Sequence, residues 1–146
     1  MELRSALLSI WQTNDGASGV GNIGLFDHPL TAFFASRKCS GAAIRAAMDW
    51  AVEQARGRTP IISGFHSPLE QSVLKVLLAA DASVVIVISR NLHGARFPSA
   101  WQRALQNGTA AIVSISNSKQ RLTGAMIGLR STRTTLSWRM HQARDG

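Results

Sequence analysis

Thr59-Pro60-Ile61-Ile62-Ser63-Gly64-Phe65-His66-Ser67-Pro68-Leu69-Glu70 is an apolar run that breaks into small and polar residues and then enters an amphipathic stretch. Thr59 to Ser63 suits a strand. Pro68 suits the first turn of a helix running from Leu69 to Ala80, with Leu69, Val73, Val76, Leu77 and Ala80 facing inward. The turn between them is short. In a parallel sheet such a turn lies at the carboxyl end of a strand, where ligands bind. Gly64 offers backbone freedom there, Ser63 and Ser67 offer hydroxyls, and the N–H groups opening the helix form a seat for phosphate. Ser67-x-x-Glu70 also has the spacing of a capping box, which gives both residues a structural occupation beside the binding one.

The same alternation continues on both sides. Leu30 to Ser36 is a mostly apolar run suited to a strand buried on both faces, followed by the polar turn Arg37 to Gly41. Ala42 to Ala55 has helical periodicity, with Ile44, Ala47, Met48, Ala51, Val52 and Ala55 on one stripe and Gly57 closing it. Ser83 to Ser89 is a β-branched strand, Arg90 to Phe97 a loop, Pro98 to Gln106 a helix, and Thr109 to Ser116 another strand. Arg121 to Leu129 reads as a further helix. Strand and helix alternating with short links predicts an α/β fold with a mostly parallel sheet and right-handed crossovers.

The flanks read differently. Residues 1–29 form an N-terminal extension, with a short helix over Glu2 to Gln12 and a glycine-rich loop after it. Gly19-Val20-Gly21-Asn22-Ile23-Gly24 matches G-x-G-x-x-G by spacing, but no strand is read before it and no helix after it, so a dinucleotide fingerprint is not assigned. Residues 30–130 form the α/β domain. Residues 131–146 read as a basic tail, disordered or truncated, and a sheet lacking its last strand is the expectation.

A chain of 146 residues that is 45% apolar has enough for one core. No apolar run approaches a membrane span of roughly 20 residues, and the expected location is cytoplasmic. One cysteine, Cys39, excludes an internal disulfide and a cysteine-built metal site. Lys and Arg number 16 against 8 Asp and Glu. From Ala82 onward there are nine Lys and Arg and one acid, Asp145. This asymmetry favours polyanionic partners or, with no partner, a solvated basic tail.

Several phrases carry a family resemblance. Ala35-Ser36-Arg37 after the first strand resembles the G-S-R turn of the DNA-processing protein A (DprA/Smf) family, and Ile62-Ser63-Gly64 resembles that family's second turn. The loop Arg90 to Pro98 before a short helix is similar too, as is Gly108 before Ala111-Ile112-Val113-Ser114. The resemblance spans about Gly21 to Arg130 and is to a divergent, single-domain branch. It implies a Rossmann-like three-layer fold and a binding role more than an enzymatic one: single-stranded DNA held in a basic pocket at the carboxyl ends of the strands. It further implies a part in DNA uptake (DNA-mediated transformation) or recombination, a recombinase as partner, and a homodimer. By position, Arg37 would contact phosphate, and Ser63 and Gly64 would line the pocket floor. The family's Arg-Asn pair reads Arg130-Ser131 here, without the Asn.

The candidate binding residues are therefore Arg37, Lys38, Ser63, Gly64, His66, Ser67, Arg90 and Arg96. Arg37 offers a planar fork to phosphate and Lys38 a point charge. Arg90 and Arg96 would extend the basic surface from the loop that also holds Asn91 and His93. His66 and Glu70, four apart, could form an acid–base pair or half of a metal site, but no third ligand is evident, and helix capping accounts for Glu70. No catalytic residue, metal or cofactor is assigned. Cys39 reads as a small, partly buried residue, and Trp101 as core, with no aromatic cluster marking a stacking platform. The alternative function is a nucleoside-monophosphate phosphoribohydrolase, whose P-G-G-x-G-T-x-x-E turn is matched only by Ser63-Gly64 and Glu70.

Overall fold

A computed structural model describes residues 10–12, 17–35, 37–92 and 95–115, together with the backbone of Thr132–Thr134. Seven strands are β1 (Trp11–Gln12), β2 (Ser18–Gly21), β3 (Leu30–Ala32), β4 (Ile61–Ser63), β5 (Val84–Ile88), β6 (Ala110–Ser114) and β7 (Thr132–Thr134). Three helices are α1 (Gly41–Gly57), α2 (Pro68–Ala79) and α3 (Ser99–Asn107). They form one sheet in the order β1-β2-β6-β5-β4-β3-β7. β3 to β6 pair in parallel with their sequence neighbours, as the alternation predicts.

Each crossover from β3 to β6 steps the same way across the sheet, so right-handed connections place α1, α2 and α3 on one face. The strands' period-two alternation then decides which side chains meet those helices. Ile61, Val84, Ile86, Ile88, Ala110 and Ile112 pack with Ala47, Ala51, Val73 and Leu77. Their neighbours Ile62, Val85, Val87, Ala111 and Val113 point the other way and pack with Leu30, Leu25 and Phe26. Leu25 and Phe26 belong to a short 3-10 helix, Ile23–Asp27, whose start is capped by the Asn22 side chain. Burial on both faces is what the continuous apolar strands require. The result is an α/β Rossmann-like fold with a mostly parallel sheet. The helix expected over Arg121 to Leu129 lies outside the described residues, as does most of the one expected over Glu2 to Gln12, whose described end, Trp11–Gln12, is strand β1 and not helix.

Three expectations are corrected. The glycine-rich segment is not all loop: β2 pairs antiparallel with β6 and with β1. Its glycines answer to packing rather than to a cofactor. A Cβ on Gly19 would strike the Trp11 indole, and Gly21 has φ +93° and sits against the Ala110 carbonyl and the Leu105 side chain. The Trp11 indole N–H donates to the Gly21 carbonyl at 3.1 Å, which fixes the ring over the space Gly19 leaves. Second, the inward face of α1 is Ala43, Ala47 and Ala51, while Ile44 and Val52 are 42% and 38% exposed. Small alanines allow the helix to sit close to the sheet, which turns the larger side chains outward. In α2, likewise, Leu74 is buried where Ala80 was expected. Third, the sheet does not end without a strand after Leu129, for the backbone of Thr132–Thr134 pairs in parallel with β3.

Candidate functional site

The carboxyl ends of β3, β4, β5 and β6 lie on one edge of the sheet, because these strands are parallel. Their following loops therefore gather there. β3 leads to Arg37 and Lys38, β4 to Gly64–Ser67, and β5 to Arg90 and then Arg96. The fold thus brings the eight candidate residues to one end. Arg37, Lys38, His66, Arg90 and Arg96 are exposed, whereas Ser63 and Ser67 are buried. His93 lies outside the described residues.

The β4–α2 turn is built from its own hydrogen bonds. The Ser63 hydroxyl accepts from the Phe65 N–H at 3.0 Å. That bond holds Phe65 at φ +52°, a conformation a bulky residue rarely adopts. The expected freedom at Gly64 is not used as a left-handed turn, since the positive angle falls on Phe65. Gly64 instead gives His66 room: a Cβ there would come within 2.6 Å of the imidazole Cδ2 and 2.7 Å of Nε2.

Ser67 and Glu70 form the predicted capping box at the start of α2. The Glu70 N–H donates to the Ser67 hydroxyl at 3.3 Å, and Glu70 Oε1 accepts from the backbone N–H groups of His66 at 2.8 Å and Ser67 at 3.2 Å. Glu70 Oε2 accepts from the Ala35 N–H at 2.9 Å, beyond the end of β3. Glu70 is buried, at 7% exposure. Glu70 and Ser67 thus fill much of this helix start from within the chain: Oε1 takes the His66 and Ser67 N–H groups, and the Ser67 hydroxyl takes that of Glu70.

The cations sit around that helix start. Arg37, Lys38 and Cys39 face Ile44 of α1 and Pro68, Leu69 and Ser72 of α2 across a cleft of about 320 Å³. On the far side, the Arg90 guanidinium lies 5.5 Å from the centroid of the Phe97 ring. Arg90 Nη2 donates to the Arg96 carbonyl at 3.4 Å, and the Arg90 carbonyl accepts from the Ser114 hydroxyl at 2.6 Å. Phe97 in turn stacks on Trp101, with ring centroids 5.8 Å apart and planes 19° apart. These rings join the β5 loop to α3 and make an aromatic pair where none was expected. The i, i+4 spacing of Phe97 and Trp101 across a helix start was the available signal.

Two other cavities, of about 390 Å³ beside His28 and Arg58 and about 540 Å³ between α2 and α3, lie away from this edge. Among the described residues, no group of three or more His, Cys, Asp or Glu could hold a metal ion. No helix among them is long and apolar enough to cross a membrane.

No protein-family model matches the sequence, and no curated protein matches it. Solved structures do. DNA processing protein A from Helicobacter pylori, described for its single-stranded DNA binding mode, superposes with a TM-score of 0.54 at 16% identity, over 83% of this chain and 61% of that one. DNA processing protein A from Streptococcus pneumoniae superposes with a TM-score of 0.53 at 16% identity, over 88% of this chain and 51% of that one. The chain thus spans between half and two thirds of the length of either protein. Strand order, crossovers and these superpositions agree with what the Ala35-Ser36-Arg37 and Ile62-Ser63-Gly64 phrases implied: the chain has the Rossmann-like α/β fold of DNA processing protein A.

Proposed function

We propose that this chain binds single-stranded DNA, or a related phosphate-bearing strand or nucleotide, along the carboxyl edge of its parallel sheet. The observation that carries the reading is the convergence of Arg37, Lys38, Arg90 and Arg96 from two separate strand ends onto one edge. Glu70 is the acid at that edge among the described residues, and it is buried and hydrogen-bonded. The exposed field there is positive, which favours a polyanion and speeds its capture. The single-stranded DNA binding of the Helicobacter pylori protein of the same fold supports the choice of ligand. His66, over Gly64, borders the same edge and joins the proposed contacts. Ser63, Gly64 and Ser67 serve the proposal as the frame of the β4–α2 turn. A part in DNA uptake or recombination, with a recombinase receiving the strand and the chain acting as a homodimer, is the wider form of this reading.

The phosphoribohydrolase alternative needs a carboxylate free to meet substrate. Glu70 is engaged by three backbone N–H groups, which counts against that alternative.

Fluorescence anisotropy of labelled oligothymidylate at two salt concentrations tests the proposal. If about three phosphates are neutralised, affinity falls roughly 20-fold between about 50 and 200 mM salt, from a slope of about −0.7 per phosphate on single strands. No binding at the lower salt, with release of base from a nucleoside monophosphate, would reverse the assignment.

A further inference from the structure

We infer that Glu70 is a positioning residue of the binding edge: its carboxylate ties the loop bearing Arg37 and Lys38 to the β4–α2 turn, and the two walls of the cleft hold their spacing through it. The inference rests on the proposed role of Arg37 and Lys38 in binding.

A capping box requires one carboxylate oxygen, and Oε1 performs that task for His66 and Ser67. Oε2 does something else. It reaches a residue 35 positions away in sequence, Ala35, at 2.9 Å. Ala35 stands two residues before Arg37 and just beyond β3, where the ladder to β4 no longer supplies partners. The last strand-like bond on this segment runs from the Phe33 N–H to the Ile62 carbonyl. Beyond it, Glu70 takes over as acceptor. The bond is charge-assisted and shielded from water, which makes it stronger than a neutral one at the surface.

Geometry sets the consequence. Arg37 and Lys38 form one wall of the cleft, and Pro68 and Leu69, the residues just before Glu70, form the other. The two oxygens of a single carboxylate hold both walls. A side chain that reaches out from a tethered loop loses less entropy when it meets its ligand.

Glu70→Gln separates the two tasks. The amide oxygen remains with the two donors at the helix start, where it satisfies more N–H groups. The amide NH₂ then confronts the Ala35 N–H, donor against donor, and the tie breaks. Val73→Ala is the control: it removes buried volume from the same helix and core cluster, yet keeps both Glu70 oxygens and the N–H groups that donate to them.

The test measures affinity for labelled oligothymidylate at low salt, thermal stability, and hydrogen exchange of the Ala35 amide by NMR in each protein. The expected result is a folded Glu70→Gln with affinity reduced at least about fivefold, from renewed freedom of two cationic side chains, and with faster Ala35 exchange. Val73→Ala should melt earlier yet bind as the wild type does. Equal affinity in wild type and Glu70→Gln overturns the inference, as does loss of affinity in Val73→Ala in proportion to its lost stability. Should Glu70→Gln fail to fold, the wild-type chain carries the test: the Ala35 resonance must shift as oligothymidylate is added, and a fixed Ala35 beside a shifting Arg37 overturns the inference. A wild-type chain that binds no oligothymidylate removes the proposed function itself, which the other outcomes leave standing.

Discussion

The Arg90 guanidinium lies over the Phe97 ring, 5.5 Å from its centroid, and so holds its charge at a fixed place at the end of β5. Cation–π contact of this kind contributes about 0.5–1 kcal/mol at an exposed site. Arg90 is also held through its main chain by the Ser114 hydroxyl. A fixed cation meets phosphate with less entropy lost than a free one. Arg90→Ala is expected to weaken oligonucleotide binding, and the slope of log affinity against log salt should flatten by about 0.7, the share of one phosphate. Anisotropy titrations across a salt series read both effects.

Arg37→Ala should act in the same way from the end of β3. Its loss removes a planar, bidentate-capable donor, so Arg37→Lys should restore only part of the affinity. The double variant Arg37→Ala/Arg90→Ala should flatten the salt slope by about 1.4, twice the single-strand contribution of one phosphate. A slope unchanged in the double variant would place the strand elsewhere on the surface.

Ser67→Ala removes the acceptor for the Glu70 N–H and half of the capping box. Loss of such a cap costs about 1 kcal/mol, within a range of roughly 0.5–2 kcal/mol. The midpoint of thermal unfolding should fall by roughly 3–5 °C for a domain of this size. Calorimetry checks this, and a midpoint unmoved within error would show that Glu70 secures the helix start without the serine.

What the sequence made legible, and what it hid, follows from the range of the forces involved. β3 to β6 and α1 to α3 were readable because strands covered on both faces must be apolar throughout, and the helices between them must be amphipathic. β2 was hidden because its glycines carry no periodic signal: the side chain that covers Gly19 belongs to Trp11, eight residues earlier. β7 was hidden because Thr132-Arg133-Thr134 pairs through its backbone with β3 and has no apolar run to show. The face of α1 was misjudged because packing close to the sheet selects alanines over the more hydrophobic Ile44 and Val52. At the site, basic residues after strands were readable, since strand ends are fixed by local pattern. The Glu70–Ala35 bond was not, since it joins residues that only the parallel pairing of β3 and β4 brings together.

Gly21 offers a sharp test of the packing at the antiparallel end of the sheet. Its φ of +93° excludes ordinary side chains, and a Cβ would press on the Ala110 carbonyl of β6 and come within 2.6 Å of Leu105 Cδ2 of α3. Gly21→Ala must therefore shift β2 or push α3 off the sheet, at a cost of at least about 2 kcal/mol from backbone strain and overpacking together. Urea denaturation should show a lower midpoint at unchanged slope.

Arg58 tests the opposite sign. It closes α1 in the left-handed conformation at φ 56°, with its N–H donating to the Ala55 carbonyl at 3.3 Å, while Gly57 is spent one residue earlier inside the helix. A residue with a Cβ costs roughly 1–2 kcal/mol more than glycine in that region. Arg58→Gly removes the strain and keeps the backbone bonds, but it gives back part of the gain through the greater freedom of the unfolded chain and the loss of a cation at the helix C-terminus. The net expectation is a gain of about 0.5 kcal/mol, which raises the melting midpoint by roughly 2 °C. Arg58 lies at the amino end of β4, opposite the binding edge, so oligonucleotide affinity should not change. A lower midpoint in Arg58→Gly would mean that the guanidinium contributes more to the end of α1 than its backbone costs.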